Sequence, residues 1–469
     1  MIGRQEKFQN NLRGCVIMSE NTAKSKGSLF EIEGTPSLRD VAPLGLQHVV
    51  AAFVGIITPA ILVAGVTGLS PADTTILIQM SLIVSALATL IQLYPIKGVG
   101  SGLPMIMGAS FAYVPTLLAI GGQFDIATIF GAQIIGGLAA FTFGVFVKQL
   151  RRFFPPLITG TVIFTIGLSL YPVAIRYMAG GAGSPTFGSM ENWFVAMVTF
   201  LVVIFLTYFT KGFTKLAAIL IGMIVGYIVA YFMGMVSFDS VAQAGWFQVV
   251  APLHFGVKFE ISAIISLVVM YIVNSVQAIG DFSSTTLGGL DREPTDNELA
   301  GGIKGSGLSS TLSALVGGLP IATYSQNVGI ITINKVVNKM VFAFAAIVFL
   351  VAGVVPKFAS VFTTIPQAVI GGGTLSVFAM IAMTGLKMIA SADLNPRNTA
   401  VVGLAVALGV GITSVPGALD GFPAWVNSVF GSSSVVISTL AAIILNLTLP
   451  KHKEEAEEPN KSESEVGIQ

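Results

Sequence analysis

The stretch "TYSQNVGIITINKV", Thr323 to Val336, is apolar enough for a membrane, yet it sets two carboxamides side by side. Gln326 and Asn327 stand between Ser325 and Gly329. A buried carboxamide needs partners for up to four hydrogen bonds. Neighbours on a helix project in different directions, so one of the pair can meet a ligand while the other meets a nearby helix. The stretch also has an echo. "GLPMIMGASFAYV" (Gly102 to Val114) resembles "GLPIATYSQNVGI" (Gly318 to Ile330). Each opens Gly-Leu-Pro, runs through a short extended-looking segment, and meets small polar residues before a short helix.

The chain around these stretches is built for lipid. Of its 469 residues, 54% are hydrophobic and 10% charged, against about 25% charged in a soluble domain. The composition calls for a polytopic membrane protein. A net charge of +1 gives no footprint for nucleic acid. The single Cys15 excludes a disulfide framework within the chain. There is no His-Glu-x-x-His motif and the three histidines lie far apart, so no metal, cofactor or enzyme chemistry is expected. Residues 1–40 are polar and lack the apolar core of a signal peptide, so they are expected to form a cytoplasmic tail. "MSENTAKSKG" from Met18 reads as an alternative start to Met1. The tail at 451–469 is charged, without periodicity, and expected to be disordered.

A spanning helix needs about 20 mostly apolar residues. Candidates lie near 43–66, 74–96, 125–147, 157–178, 193–210, 214–235, 259–280, 301–317, 340–356, 367–389, 398–415 and 429–449. The broken stretches 103–121 and 319–337 bring the count to fourteen. With both termini in the cytoplasm, Lys97, Lys148, Arg151, Arg152, Lys211, Lys215, Arg292, Lys304, Lys335, Lys339, Lys387 and Arg397 fall inside. Arg176, Lys258 and Lys357 fall outside. Each broken stretch is then the third span of a seven-span half. A second echo, "PPLITGTVIFTIGL" (Pro155 to Leu168) and "IPQAVIGGGTLSVF" (Ile365 to Phe378), opens the fifth span of each half. An odd number of spans per half makes the halves inverted. The expected fold is therefore an all-α polytopic membrane protein of fourteen transmembrane segments. It is a 7+7 inverted repeat with two half-helices preceded by short extended segments. Interrupted segments at matching positions in two halves point to a transporter binding site. Irregular backbone is tolerated at membrane depth where it lines a cavity or is buried in protein.

Ionisable residues inside a membrane are rare and mark function. His48 lies in the first span beside Gln47, and Asp281 ends the eighth, in "VNSVQAIGDFSSTT", with Gln277 before it. The first and eighth spans are equivalent in the repeat, so four polar spans (one, three, eight and ten) converge. The structural alternatives are a histidine bonded to a neighbouring carbonyl and an aspartate that organises the "DFSSTT" loop. A carboxamide donates and accepts side by side, which complements the cis-amide edge of a nucleobase. Phe111, Phe282 and Tyr324 offer apolar or stacking contacts. No Arg or Lys cluster lies in the spans to hold a multiply charged anion.

At these residues the chain resembles the nucleobase–ascorbate transporter family, also called nucleobase:cation symporter-2. The family's tenth-span signature, Gln/Glu/Pro-Asn-x-Gly, matches Gln326-Asn327-Val328-Gly329, and the Thr that follows it in the family is Asn334 here. Gln47-His48, Ser110-Phe111-Ala112 and Ala278 to Asp281 match the first, third and eighth spans. The resemblance covers nearly all of residues 40–450. It implies a core (41–152 and 258–357) moving against a gate (153–257 and 358–450) in a homodimer. It implies substrate contacts at Gln277, Gln326, Phe111 and Ser325, with Ser110, Asn327 and Gly329 around them. His48, Asp281 and Gln47 are the coupling or gating candidates. Gln326 in place of Glu looks like the purine branch (xanthine, urate) rather than the uracil branch. Members commonly carry Glu where this chain has Gln277, and many purine members carry Asp near Ser306. A Gln cannot titrate, so coupling to a proton rests on Asp281 or His48, or fails. Uracil, a broader set of bases, and a binding-only paralogue are the alternatives. An anion transporter of the sulfate permease group would usually carry a sizeable C-terminal domain.

Overall fold

Apolar residues surround most of the helices instead of striping one face, the pattern of helices immersed in lipid or in a core. In chain order these are α1 (Leu38–Thr67), α2 (Pro71–Leu93), β1 (Met107–Ala109), α3 (Val114–Gln123), α4 (Ile126–Val145), α5 (Pro156–Met178), α6 (Met190–Phe209), α7 (Ala218–Phe232), α8 (Ile261–Leu290), α9 (Asp296–Val316), β2 (Ile321–Thr323), α10 (Ser325–Asn334), α11 (Lys339–Val354), α12 (Pro356–Thr363), α13 (Gln367–Ala390), α14 (Pro396–Ser414) and α15 (Ser434–Thr448). Short helical turns join some of them. This computed structural model describes residues 29–150, 155–248, 250–423, 426–431 and 433–450. Cys15, Met18, Arg151, Arg152 and the tail at 451–469 lie outside the described residues. Leu29 to Gly34, within the expected N-terminal tail, dock on the α10–α11 turn. Asn338 Nδ2 donates there to the carbonyls of Glu31 (3.0 Å) and Gly34 (2.7 Å).

Eight of the described helices are long and apolar enough to cross a membrane, and α11 with α12, bent by 80°, would make a ninth. α7 and α15 are apolar but shorter, at 15 residues each. α9 has 21 residues, diluted by Gly and Ser. One boundary needs correction. The eighth span, read to end at 280, continues as α8 to Leu290. The "DFSSTT" segment is poor in large apolar residues but stays helical. Thr286 Oγ1 donates back to the Phe282 carbonyl at 3.1 Å, and Asp291 ends the helix in the left-handed region at φ 52°. Asp281 is thus inside a helix, and no loop begins there.

The most extensive pairings fall into two sets. α1, α2, α4, α8, α9 and α11 pack among themselves, as do α5, α6, α7, α13, α14 and α15. The two extended segments pack on the first set, β1 on α1 and α2 and β2 on α8 and α9, and meet each other. β1 and β2 pair antiparallel, with Met107 opposite Thr323, Gly108 opposite Ala322 and Ala109 opposite Ile321. A two-stranded ribbon has unpaired outer edges, and each unmet backbone group in an apolar surround is costly. Helix hydroxyls close them. Thr89 Oγ1 on α2 accepts from the Met107 N–H (3.0 Å), and Ser310 Oγ on α9 accepts from the Ile321 N–H (3.0 Å). The two halves of the chain solve the same problem with the same device.

Candidate functional site

The site grows out of the β2–α10 junction. Tyr324 ends β2: its N–H donates to the Ile106 carbonyl (3.1 Å) and its phenol to the Ala109 carbonyl (2.5 Å). One residue therefore holds the neighbouring strand at two points. The ring lies between Gly55 on α1 and Gly108 on β1. A Cβ at Gly55 would sit 2.7 Å from the ring, and one at Gly108 would sit 3.0 Å from it. Either side of Tyr324, two hydroxyls converge on Asp281. Thr323 Oγ1 donates to Oδ2 (2.5 Å) and Ser325 Oγ to Oδ1 (2.7 Å). The buried carboxylate thus fixes where α10 begins.

The paired carboxamides diverge. Asn327 is fully buried, and its Nδ2 donates to the His48 carbonyl (3.1 Å) and to His48 Nδ1 (3.0 Å). A carbonyl only accepts, so the amide nitrogen must face it, and Nδ1 must then be the unprotonated ring nitrogen. The imidazole packs on Phe342 with centroids 4.4 Å apart. About two turns further on, Asn334 Nδ2 donates to Gln47 Oε1 (3.2 Å). Gln47 and His48 therefore both hold α10 from α1. Gly329 is exposed, and an added Cβ there would meet nothing within 4 Å.

Gln326 faces the other way, into a cavity of about 260 Å³. The α10 side supplies Thr323, Tyr324, Ser325 and Gln326; the β1–α3 side supplies Ser110, Phe111 and Ala112; α8 supplies Gln277. The facing wall is Ile163 and Ile166 from α5 with Met380, Ile381 and Thr384 from α13. The cavity thus has a polar side from one helix set and a largely apolar side from the other. No charged side chain lines it. Neither Gln277 nor Gln326 has a side-chain hydrogen bond among the described residues, so both carboxamides keep their donors and acceptors free. The Asn327 N–H donates to the Tyr324 carbonyl (3.0 Å), whereas the N–H groups of Ser325 and Gln326, the first two residues of α10, have no intrahelical acceptor. Phe111 closes one end, edge-on to Phe378 of α13 at 5.3 Å.

Five of the seven expected contact residues, Gln277, Gln326, Phe111, Ser325 and Ser110, come together around this cavity. Asn327, Gly329, His48, Gln47 and Asp281 do not line it; all but Gly329 bond in the layer behind. Ser306 is further away, donating to the Gly302 carbonyl at 3.1 Å and accepting from Gln92 at 3.4 Å. The apolar wall was not singled out in the sequence. Ile163, Ile166, Met380 and Ile381 look like any residue of a membrane helix, and only the echo that opens the fifth span of each half marked their elements.

The family model described as "Permease family", that of the xanthine and uracil permeases, matches residues 39–418. The chain belongs to that family. Among its relatives, the uric acid permease PucK of Bacillus subtilis is 36% identical over 405 residues, 86% of this chain and 94% of that one. The xanthine permease of the same organism is 33% identical over 431 residues, 91% and 98% of the two chains. The xanthine permease XanQ of Escherichia coli K12 is 30% identical over 450 residues, 92% and 96%. The permease is a multi-pass membrane protein. Its fold is similar to the transmembrane domain of a cyanobacterial bicarbonate transporter, BicA, with a TM-score of 0.56 at 16% identity, covering 86% of this chain and 96% of that one. It is also similar to SLC26A9, with a TM-score of 0.56 at 11% identity, covering 88% and 65%.

Proposed function

We propose that this permease carries a purine nucleobase, xanthine or uric acid, across the cell membrane by alternating access. The observation that carries the reading is the pair of unpartnered carboxamides, Gln277 and Gln326, in a small cavity without charged walls. Each offers a donor beside an acceptor, the complement of a purine's amide edges. The first-turn N–H groups at Ser325 and Gln326 add fixed donors. The volume suits a ligand smaller than the drug-sized molecules of typical pockets. The names of the relatives point to the same class of substrate.

The helix set of α1–α4 and α8–α11 is the core (41–152 and 258–357), and the set of α5–α7 and α13–α15 is the gate (153–257 and 358–450). The cavity between them opens to one side and then the other as they rock. Fourteen segments in two inverted halves, with both termini cytoplasmic and two copies forming a dimer, complete the reading. The repeated strand–half-helix unit and its repeated hydroxyl cap support the inversion.

Proton coupling is assigned to Asp281. Each of its oxygens accepts a hydroxyl that frames the α10 start, so protonation removes an acceptor at the edge of the site. Charging His48 would instead set a ring N–H against the Asn327 amide, two donors face to face. A second reading, facilitated passage without a coupled ion, is favoured by the absence of any carboxylate on the cavity wall. Uptake of labelled xanthine into proteoliposomes under an imposed pH gradient separates them. Coupling predicts accumulation that collapses with an uncoupler and is lost in Asp281→Asn. Uptake indifferent to gradient and uncoupler would refute coupling and leave transport standing. Competition by uric acid, hypoxanthine and uracil in the same assay tests the base: displacement by uracil alone would overturn the purine assignment.

A further inference from the structure

Away from the substrate cavity, an apolar concavity of about 620 Å³ runs along one face of α11. Ile347, Val351 and Val355 recur at four-residue intervals along its floor. Ile347 is 53% and Val351 60% exposed. At its end the chain turns by 80° into α12, where Phe358 and Lys357 close the groove. Trp246, from the connection between α7 and α8, forms the remaining side. The Lys357 ammonium lies 5.0 Å from the centre of the indole ring. It makes no ion pair among the described residues.

From this juxtaposition we infer that the α11–α12 elbow is a binding site for a phospholipid with an anionic headgroup. One acyl chain lies along Ile347, Val351 and Val355, and the phosphate sits at Lys357. The argument is one of matched chemistry. A groove of bare carbon on a membrane-crossing helix faces acyl chains in the bilayer. A lysine whose stem lines such a groove lifts its charge to the headgroup level, and a tryptophan beside it marks the same depth. A second copy of this chain is a poorer occupant, because covering the groove would bury an ammonium with no counter-charge. A neutral lipid would fill the shaft and leave the ammonium unmatched. Because Trp246 belongs to the connection that joins the two helix sets, a lipid held here ties that connection to the α11 elbow.

The test uses the full chain, purified in a mild detergent and supplied with phosphatidylglycerol or phosphatidylcholine of the same acyl length. The unfolding temperature of the wild type should rise more with phosphatidylglycerol. Lys357→Gln should weaken that response about fivefold in lipid concentration while leaving the phosphatidylcholine response unchanged. Lys357→Arg should retain it. Val351→Trp, which fills the shaft, should reduce the response to both lipids. Native mass spectrometry of the wild type, which needs no variant to fold, should show phosphatidylglycerol retained in preference. Equal responses to the two lipids, or an unchanged preference in Lys357→Gln, would overturn the inference. So would stabilisation that tracks protein concentration instead of lipid, which would give the groove to a second copy.

Discussion

Gln326 and Asn327 are adjacent in sequence and opposite in task. Asn327 spends both amide hydrogens on His48, inside the protein. Gln326 spends none and faces the cavity. The two should therefore fail differently. Asn327→Ala leaves a buried carbonyl and an imidazole without their donor, and should lower the unfolding free energy by about 1–3 kcal/mol. Thermal or denaturant unfolding of the purified protein reads that loss, and unchanged stability would refute the tether. The divergence of the pair was legible in the sequence, since helical geometry alone demands it. The partner of Asn334 was not. The resemblance leads one to expect Thr there, and nothing local says that the longer side chain reaches Gln47. A double-mutant cycle of Gln47→Ala with Asn334→Thr should show a coupling of about 0.5–1.5 kcal/mol in stability. Additive losses would mean that the 3.2 Å contact contributes nothing.

Among the elements, the two short strands carry the most structure per residue. Their existence could be read from two Gly-Leu-Pro stretches with small residues behind them. Their pairing could not, because strand register is set by partners and side-chain faces, and these partners lie far apart in the chain. Nor could the hydroxyl caps be read, since Thr89 and Ser310 look like the many Ser and Thr residues of membrane helices that bond their own backbone. Thr89→Val keeps the shape and orphans the Met107 N–H. A cost of about 1–3 kcal/mol follows, with base affinity falling as well, because Ser110 and Phe111 lie directly beyond β1. Thr89→Ser should restore both. Loss of stability with undiminished affinity would separate the strand from the site.

Across the whole molecule, the claim is that two helix sets move against each other around the cavity. The division follows from which helices pack together, and sequence periodicity is blind to it because nearly every face is apolar. α3 belongs to one set and the start of α15 to the other, and they touch where Thr116 Oγ1 and Ser433 Oγ lie 3.5 Å apart. Cysteines at both positions, in a Cys15→Ser background, are close enough to be bridged with a small shift. Oxidation should arrest uptake and a reductant should restore it, while each single cysteine variant keeps transporting. Full uptake by the oxidised, verified cross-link would refute relative motion at this contact.

The central claim, that a base is read by the free carboxamides, is tested most directly by equilibrium binding of labelled xanthine to the purified wild type and to Gln326→Ala. The account predicts an affinity about five- to a hundredfold weaker in the variant, at an unchanged unfolding temperature in the absence of ligand. Wild-type affinity in Gln326→Ala would contradict it.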